Sequence, residues 1–406
     1  MSRAVASMPP RTESSAPPAS LAVVGAITFL NSLGSGLLWS GIFFVTEQSL
    51  GWGPRANFLL ALGATVVYAA CAFLCGAIVS RLSRRISTRG VVALLMTMQL
   101  VGGAVAPIGA IGLVLCALLA SAAGAILWPI MEGYLSAGRH GHGLRHSIGA
   151  FNLVWMSATF TALLLMAPAI ASGHAVTAML LFVPVSGVSL LLLPRLPRHP
   201  PPHGPESEHR HRPDGERALR DATRVLLPVG YILIGSLGPT IPFLLGEIQV
   251  DPGLRTPVTA VWMVARLVTV MALMRLAFWH GRPGALVLGF VLAAGGFAVI
   301  AMANSLEVML GGLVLFGIGQ AIIYFAALYY AMAVGGAEIG AGGVFEGLIG
   351  LGYGVGPIIG LSVGSGTEYV WGVLLVSVAV TAIAFGRMAA ARRARRRRGD
   401  AAPRSP

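Results

Sequence analysis

Apolar residues in this chain come in long runs, and they do not alternate with polar ones. From residue 21 onward, stretches rich in Leu, Val, Ala and Gly are broken by short segments that hold most of the arginines and prolines. A helix needs about 20 mostly apolar residues to cross a hydrocarbon core of about 30 Å. Read at that window, the pattern predicts twelve spans. Six lie at residues 21–45, 57–80, 90–107, 109–136, 148–171 and 175–194, and six at 223–246, 256–278, 284–303, 306–333, 341–363 and 368–388. The third and fourth are the least separated, with only "IG" marking the break. Around them the polar pattern predicts a disordered, Pro/Ser-rich N-terminus over 1–20, a solvated linker over 195–222 and a basic tail over 389–406. The bundles between them are 21–194 and 223–388.

Composition narrows the class to an all-α membrane protein. Hydrophobic residues make up 56% of the chain and charged residues 11%, and mean hydropathy is +0.79, whereas a soluble domain carries about a quarter charged residues. The first apolar run is longer than a signal-peptide core of about 7–15 residues, so no cleavage is expected.

The net charge of +13 is explained by placement. With the N-terminus cytoplasmic, inside loops collect Arg81, Arg84, Arg85 and Arg89, then Arg139, Arg145, Arg282 and the run from Arg392 to Arg398. Outside loops hold Arg55 and Arg255. That bias predicts a multi-pass protein of the inner (plasma) membrane with both termini cytoplasmic. The tail then meets anionic lipid, and nucleic acid is not an expected partner.

Cys71, Cys75 and Cys116 sit inside apolar runs and read as small core residues. His140, His142, His146 and the histidines from His199 to His211 lie in basic loops without cysteine or carboxylate support, so no metal site is expected. No G-x-x-x-x-G-K-[ST] occurs, and no bound cofactor is expected.

The halves read as parallel repeats. At an offset of 194, Asn152 in "FNLVWMSATFTALLLM" falls on Glu346 in "FEGLIGLGYGVGPIIG", and Ala158 and Ala162 fall on Gly352 and Gly356. Twelve spans split six and six by a long linker resemble the major facilitator superfamily of secondary transporters. The loop "GAIVSRLSRR" strengthens the resemblance. Gly76, Arg81, Arg84 and Arg85 match that superfamily's G-x-x-x-D-R-x-G-R-R, with Ser80 and Ser83 in place of its Asp and second Gly. The resemblance implies two pseudo-twofold-related six-helix bundles, and a loop that helps lock their cytoplasmic sides. Gly352, Gly356, Pro357 and Gly360 resemble a G-x-x-x-G-P-x-x-G signature that antiporters of the family carry on the fifth span. Here it lies on the eleventh, so it reads as helix packing. "WP-x-x-E" on the fourth span and Tyr329–Tyr330 ending the tenth also resemble bacterial members of the superfamily.

Ionisable groups inside spans are costly and therefore mark candidate sites. Arg266 lies in the middle of the eighth span, Glu346 just inside the eleventh and Glu132 toward the end of the fourth. Arg266 and Glu346 are expected to pair or to communicate through water, as a static pair or as part of transport. Glu132 is expected either to cap its helix near solvent or to face the mouth of a cavity. Further polar candidates are Asn31 and Ser35, Asn152 and Trp155, Tyr231 and Thr240, and Gln320, Tyr324 and Tyr330. As a set they suggest a small organic solute as partner. The expected function is alternating-access transport by a monomer, with proton coupling one reading. A polytopic enzyme acting on lipid-linked substrates and a transporter-like sensor are the alternatives, and no H-E-x-x-H or G-x-S-x-G supports the first of these.

Overall fold

A computed structural model describes residues 19–139, 141–201, 214–276, 279–334 and 339–400. Most of the N-terminal segment, the middle of the linker, His140 and the last six residues lie outside the described residues. The chain runs as α1 (Leu21–Leu50), α2 (Pro54–Phe73, prolonged by Cys75–Ser83), α3 (Thr88–Ile108) and α4 (Ala110–Ser136). Next come α5 (Gly141–Ala171), α6 (Ala175–Arg195), the bent pair α7 (Asp214–Leu237 with Ile241–Glu247) and α8 (Pro252–Arg275). The last four are α9 (Pro283–Ala301), α10 (Leu306–Val334), α11 (Ile339–Val363) and α12 (Thr367–Asp400). Eleven of these are long and apolar enough to cross a membrane as single helices, and α7 makes a twelfth as a bent span.

Local chemistry sets the ends. Pro54, Pro252 and Pro283 open α2, α8 and α9, where the missing N–H costs nothing. The Asp251 carboxylate caps α8 by accepting from Gly253 N at 2.8 Å, and Ser87 caps α3 through Gly90 N at 3.2 Å. The narrow break between α3 and α4 is made by Pro107 and by Gly109, whose φ of 104° is closed to ordinary side chains.

The structure adds a bend and a longer last helix to the expected spans, and it shifts one bound. In the seventh span Gly238, Pro239 and Thr240 interrupt the helix with a 49° bend, because Pro239 cannot donate to the helix ladder. The linker is shorter than 195–222, since α7 already begins at Asp214. It also starts tied down, with Arg89 Nη1 donating to Leu196 O at 3.0 Å and Tyr134 donating to Pro197 O at 2.9 Å. The basic tail continues α12 as helix to Asp400.

Helices α1 to α6 pack on one another, as do α7 to α12, and the halves meet where α2 and α4 touch α11 and where α5 touches α8. Alternating helix direction gathers the arginine-bearing connections on one face, called the basic face below. There a methyl on Gly76 would stand 3.4 Å from Gly340 Cα, and one on Gly342 3.3 Å from Pro129 Cα. At the opposite face Arg255 Nη1 lies 3.5 Å from Glu47 Oε1 and Asn57 Nδ2 donates to Pro239 O at 3.5 Å. The halves therefore touch above and below their middle.

Candidate functional site

Between those two layers of contact lies a cavity of about 100 Å³, room for several waters or a small solute. Both halves line it. From the first half come Ser32, Ser35, Trp39, Tyr68, Glu132 and Trp155, and from the second Tyr231, Arg266, Tyr324, Glu346 and Tyr353, with apolar neighbours. A π-helical stretch at Leu37–Gly41 widens α1 beside Trp39 and Ser40, a distortion common at functional sites.

Three charged side chains face this space, and all are buried: Arg266 is 2% exposed, Glu346 6% and Glu132 8%. Glu346 accepts a hydrogen bond at Oε2 from the Tyr68 hydroxyl, a contact that joins α2 to α11 across the halves. Glu132 lies against α11, with Oε2 3.0 Å from where a methyl on Gly342 would stand. Gly342 is one turn before Glu346 on α11, so the two carboxylates share one wall of the cavity. The reading of Glu132 as a solvent-side cap is thereby corrected. Pro129 lies within α4 just ahead of it, and α11 packs over both at Gly342.

Arg266 is held differently. Its guanidinium carbon lies 4.6 Å from the Tyr324 ring centre, 4.8 Å from Trp155 and 5.8 Å from Trp262. A buried cation over aromatic faces gains about 2 kcal/mol from the ring quadrupoles. Among the described residues it makes no ion pair, and its Nε and Nη2 have no hydrogen-bond partner. Direct pairing of Arg266 with Glu346 is not what the fold makes. They face one cavity from different walls.

Other candidates fall away from the cavity lining. Asn31 donates to Ile27 O at 2.9 Å and to Met96 Sδ. Asn152 donates to Ile148 O at 2.8 Å and accepts from Trp155 Nε1 at 3.0 Å, so it acts on the site through the Trp155 ring. Gln320 bridges α10 to α7 through Gly230 O at 2.8 Å, and Thr240 bonds back to its own helix. Tyr330 accepts from Gly281 N at 2.9 Å at the basic face. Side chains of Arg81, Arg84 and Arg85 are exposed and unpartnered among the described residues, while Gly76 sets the close approach of α2 to α11.

Of the α11 glycines, Gly352 and Gly356 press on α7 at Pro228 and Ser236, and Gly360 presses on Phe58 of α2. Pro357 is buried within the helix between those contacts. Tyr68, Trp39 and Tyr353 were not among the sequence candidates. A tyrosine in an apolar run carries no sign of its partner, and the partner of Tyr68 is 278 residues away.

No protein-family profile and no curated protein matches the sequence. Solved structures do match over nearly all of it. The human organic anion transporter MFSD10 is 17% identical, with 89% of this chain and 98% of that one covered at a TM-score of 0.63. A proton dependent oligopeptide transporter is 16% identical, with coverage of 92% and 98% and a TM-score of 0.69. The E. coli fucose:proton symporter is 14% identical, with coverage of 91% and 98% and a TM-score of 0.59. At such identities the likeness is one of fold. The chain has the fold of the major facilitator transporters: twelve spanning helices in two six-helix bundles around a central cavity.

Proposed function

We propose that the protein is a secondary transporter that carries a small organic solute through the central cavity by alternating access. The observation that carries this reading is the way the buried charges straddle the halves. Tyr68 on one half holds Glu346 on the other, Trp155 on one covers Arg266 on the other, and Glu132 packs against α11. A rocking motion of one bundle against the other breaks and remakes these contacts, so occupancy of the cavity and the position of the halves are energetically linked. The structurally similar transporters act on organic anions, oligopeptides and fucose. That range fits an organic solute without choosing one.

Arginine placement supports the plasma membrane with both termini on the cytoplasmic side, and anionic lipid at the basic face. Glu132 and Glu346 are the groups suited to carry a coupled proton, because both are buried carboxylates facing the cavity.

The test is uptake into proteoliposomes of sugars, nucleosides, organic acids, amino acids and short peptides, with and without an imposed pH gradient. Concentrative movement of at least one solute is expected. If none moves, the transporter reading is wrong. Glu346→Gln should remove the dependence on the pH gradient; a variant that keeps it excludes Glu346 as the proton carrier.

A further inference from the structure

Helix α3 begins with N–H groups that have no acceptor inside the helix, as every helix does. The Ser87 hydroxyl takes the one on Gly90 at 3.2 Å. The two before it find acceptors about 110 residues along the chain. Arg89 N donates to Arg198 O at 3.1 Å, and Thr88 N points at His199 Nδ1 at 3.5 Å, with the Thr88 hydroxyl 3.0 Å from the same ring nitrogen. A backbone N–H only donates, which makes Nδ1 the acceptor and assigns the imidazole proton to Nε2.

Residues 194–200 therefore form a strap on the first bundle. Arg89 Nη1 holds Pro194 O at 3.2 Å and Leu196 O at 3.0 Å, the Tyr134 hydroxyl donates to Pro197 O at 2.9 Å, and Leu196 is buried. The strap ends at the seam between the halves. A methyl on Gly133 of α4 would stand 3.2 Å from Ile339 Cγ1 of α11 and 4.0 Å from Pro200 Cγ. Pro200, next to His199, thus packs at the corner where α4 meets α11 on the basic face.

Of the bonds that hold the strap, the one to His199 depends on protonation. An imidazolium donates from both nitrogens and accepts at neither, so it would meet the Thr88 N–H donor to donor. It would also set a positive charge at the positive end of the α3 dipole. The charged groups around it do not compensate. Arg89 follows Thr88 on α3, Arg198 precedes His199 on the strap, and Arg84 and Arg85 are exposed in the loop before α3. On α4 Glu132 lies against α11 at Gly342, and beyond the end of α4 Arg139 donates to Tyr134 O and Leu135 O. No carboxylate pairs with His199 among the described residues.

We propose that residues 194–200 are a pH-operated strap on the basic face. With His199 neutral, the strap is clasped to α3 and holds Pro200 in the corner between α4 and α11; protonation of His199 releases that end and loosens the corner. Histidine changes charge between about pH 5 and 8, so the clasp is complete above that range and lost as pH falls through it. None of Thr88, Arg89, Gly133 and Tyr134 lines the cavity, so the strap works alike whatever solute the cavity takes.

The experiment is hydrogen exchange on the full-length protein in detergent, resolved to single amides and divided by the intrinsic rate at each pH. One hydrogen bond sets a factor of about 2–10, so protection of Thr88 and Arg89 should fall about threefold or more from pH 8 to pH 5.5. Leu95 and Met96, buried further along α3, are the control and should not change. His199 is exposed, so its replacement opens no cavity. His199→Asn keeps an acceptor that takes up no proton and should hold protection high at both pH values; His199→Ala should be low at both. Ile339→Cys reads the corner. At pH 5.5 a soluble maleimide should label it about threefold faster with His199 in place than in the His199→Asn background. Protection of Thr88 and Arg89 that ignores pH overturns the proposal, and so does an equal fall in His199→Asn, which assigns the effect to another group. Equal labelling of Ile339→Cys in the two backgrounds overturns it as well, because the strap then does not govern the corner.

Discussion

Two seams join the halves, and they differ in the chemistry they carry. Tyr68 on α2 and Arg266 on α8 each stand fourteen residues after the proline that opens their helix. Across the seams, Asn152 on α5 and Glu346 on α11 correspond at the repeat offset of 194. One backbone plan therefore carries a tyrosine–carboxylate contact at α2/α11 and an arginine in an aromatic cage at α5/α8. The packing differs too. Helix α11 meets α2 through Gly343, Gly347, Gly350 and Gly354, whereas α5 meets α8 through larger side chains such as Trp155 and Met274.

Gly343 and Gly149 stand 194 residues apart, at the same sequence offset as Glu346 and Asn152, and give the largest expected contrast. A methyl on Gly343 would stand 2.6 Å from the Ala72 carbonyl, which is backbone and cannot swing aside, while one on Gly149 meets only the flexible thioether of Met274. Gly343→Ala should cost about 1–3 kcal/mol. Gly149→Ala should be neutral or gain about 0.5–1 kcal/mol of helix propensity. Thermal unfolding in detergent decides it, and equal losses would mean that the seams are packed alike.

Tyr68→Phe comes next. It removes the donor to a buried carboxylate and should destabilise by about 1–3 kcal/mol in the same assay. Unchanged stability would show that Glu346 does not depend on Tyr68. For the opposite seam, a double-mutant cycle of Trp155→Leu with Arg266→Gln should return a coupling of about 0.5–2 kcal/mol. A coupling of zero would remove Trp155 from the cage. The smallest effect belongs to Glu47→Gln. Its partner Arg255 is 3.5 Å away, and both side chains are partly exposed, at 30% and 17%. A screened pair of that kind contributes about 0–1 kcal/mol, and the loss should shrink further at high salt.

The pattern of the sequence by itself determined the twelve spans, their grouping in two sets of six and the location of the basic face. Each follows from how much apolar length a bilayer demands and from where arginines interrupt it. The same cost of burying charge singled out Arg266, Glu346 and Glu132. Tertiary structure alone decided what these residues face. Apolar length counts residues but not direction, so the window could not see the bend at Pro239. Nor does it fix the rotation of a helix about its own axis. Close packing of the α11 glycines against α2 and α7 sets that rotation and turns Glu346 to Tyr68, while Arg266 is left among the rings of Trp155, Trp262 and Tyr324.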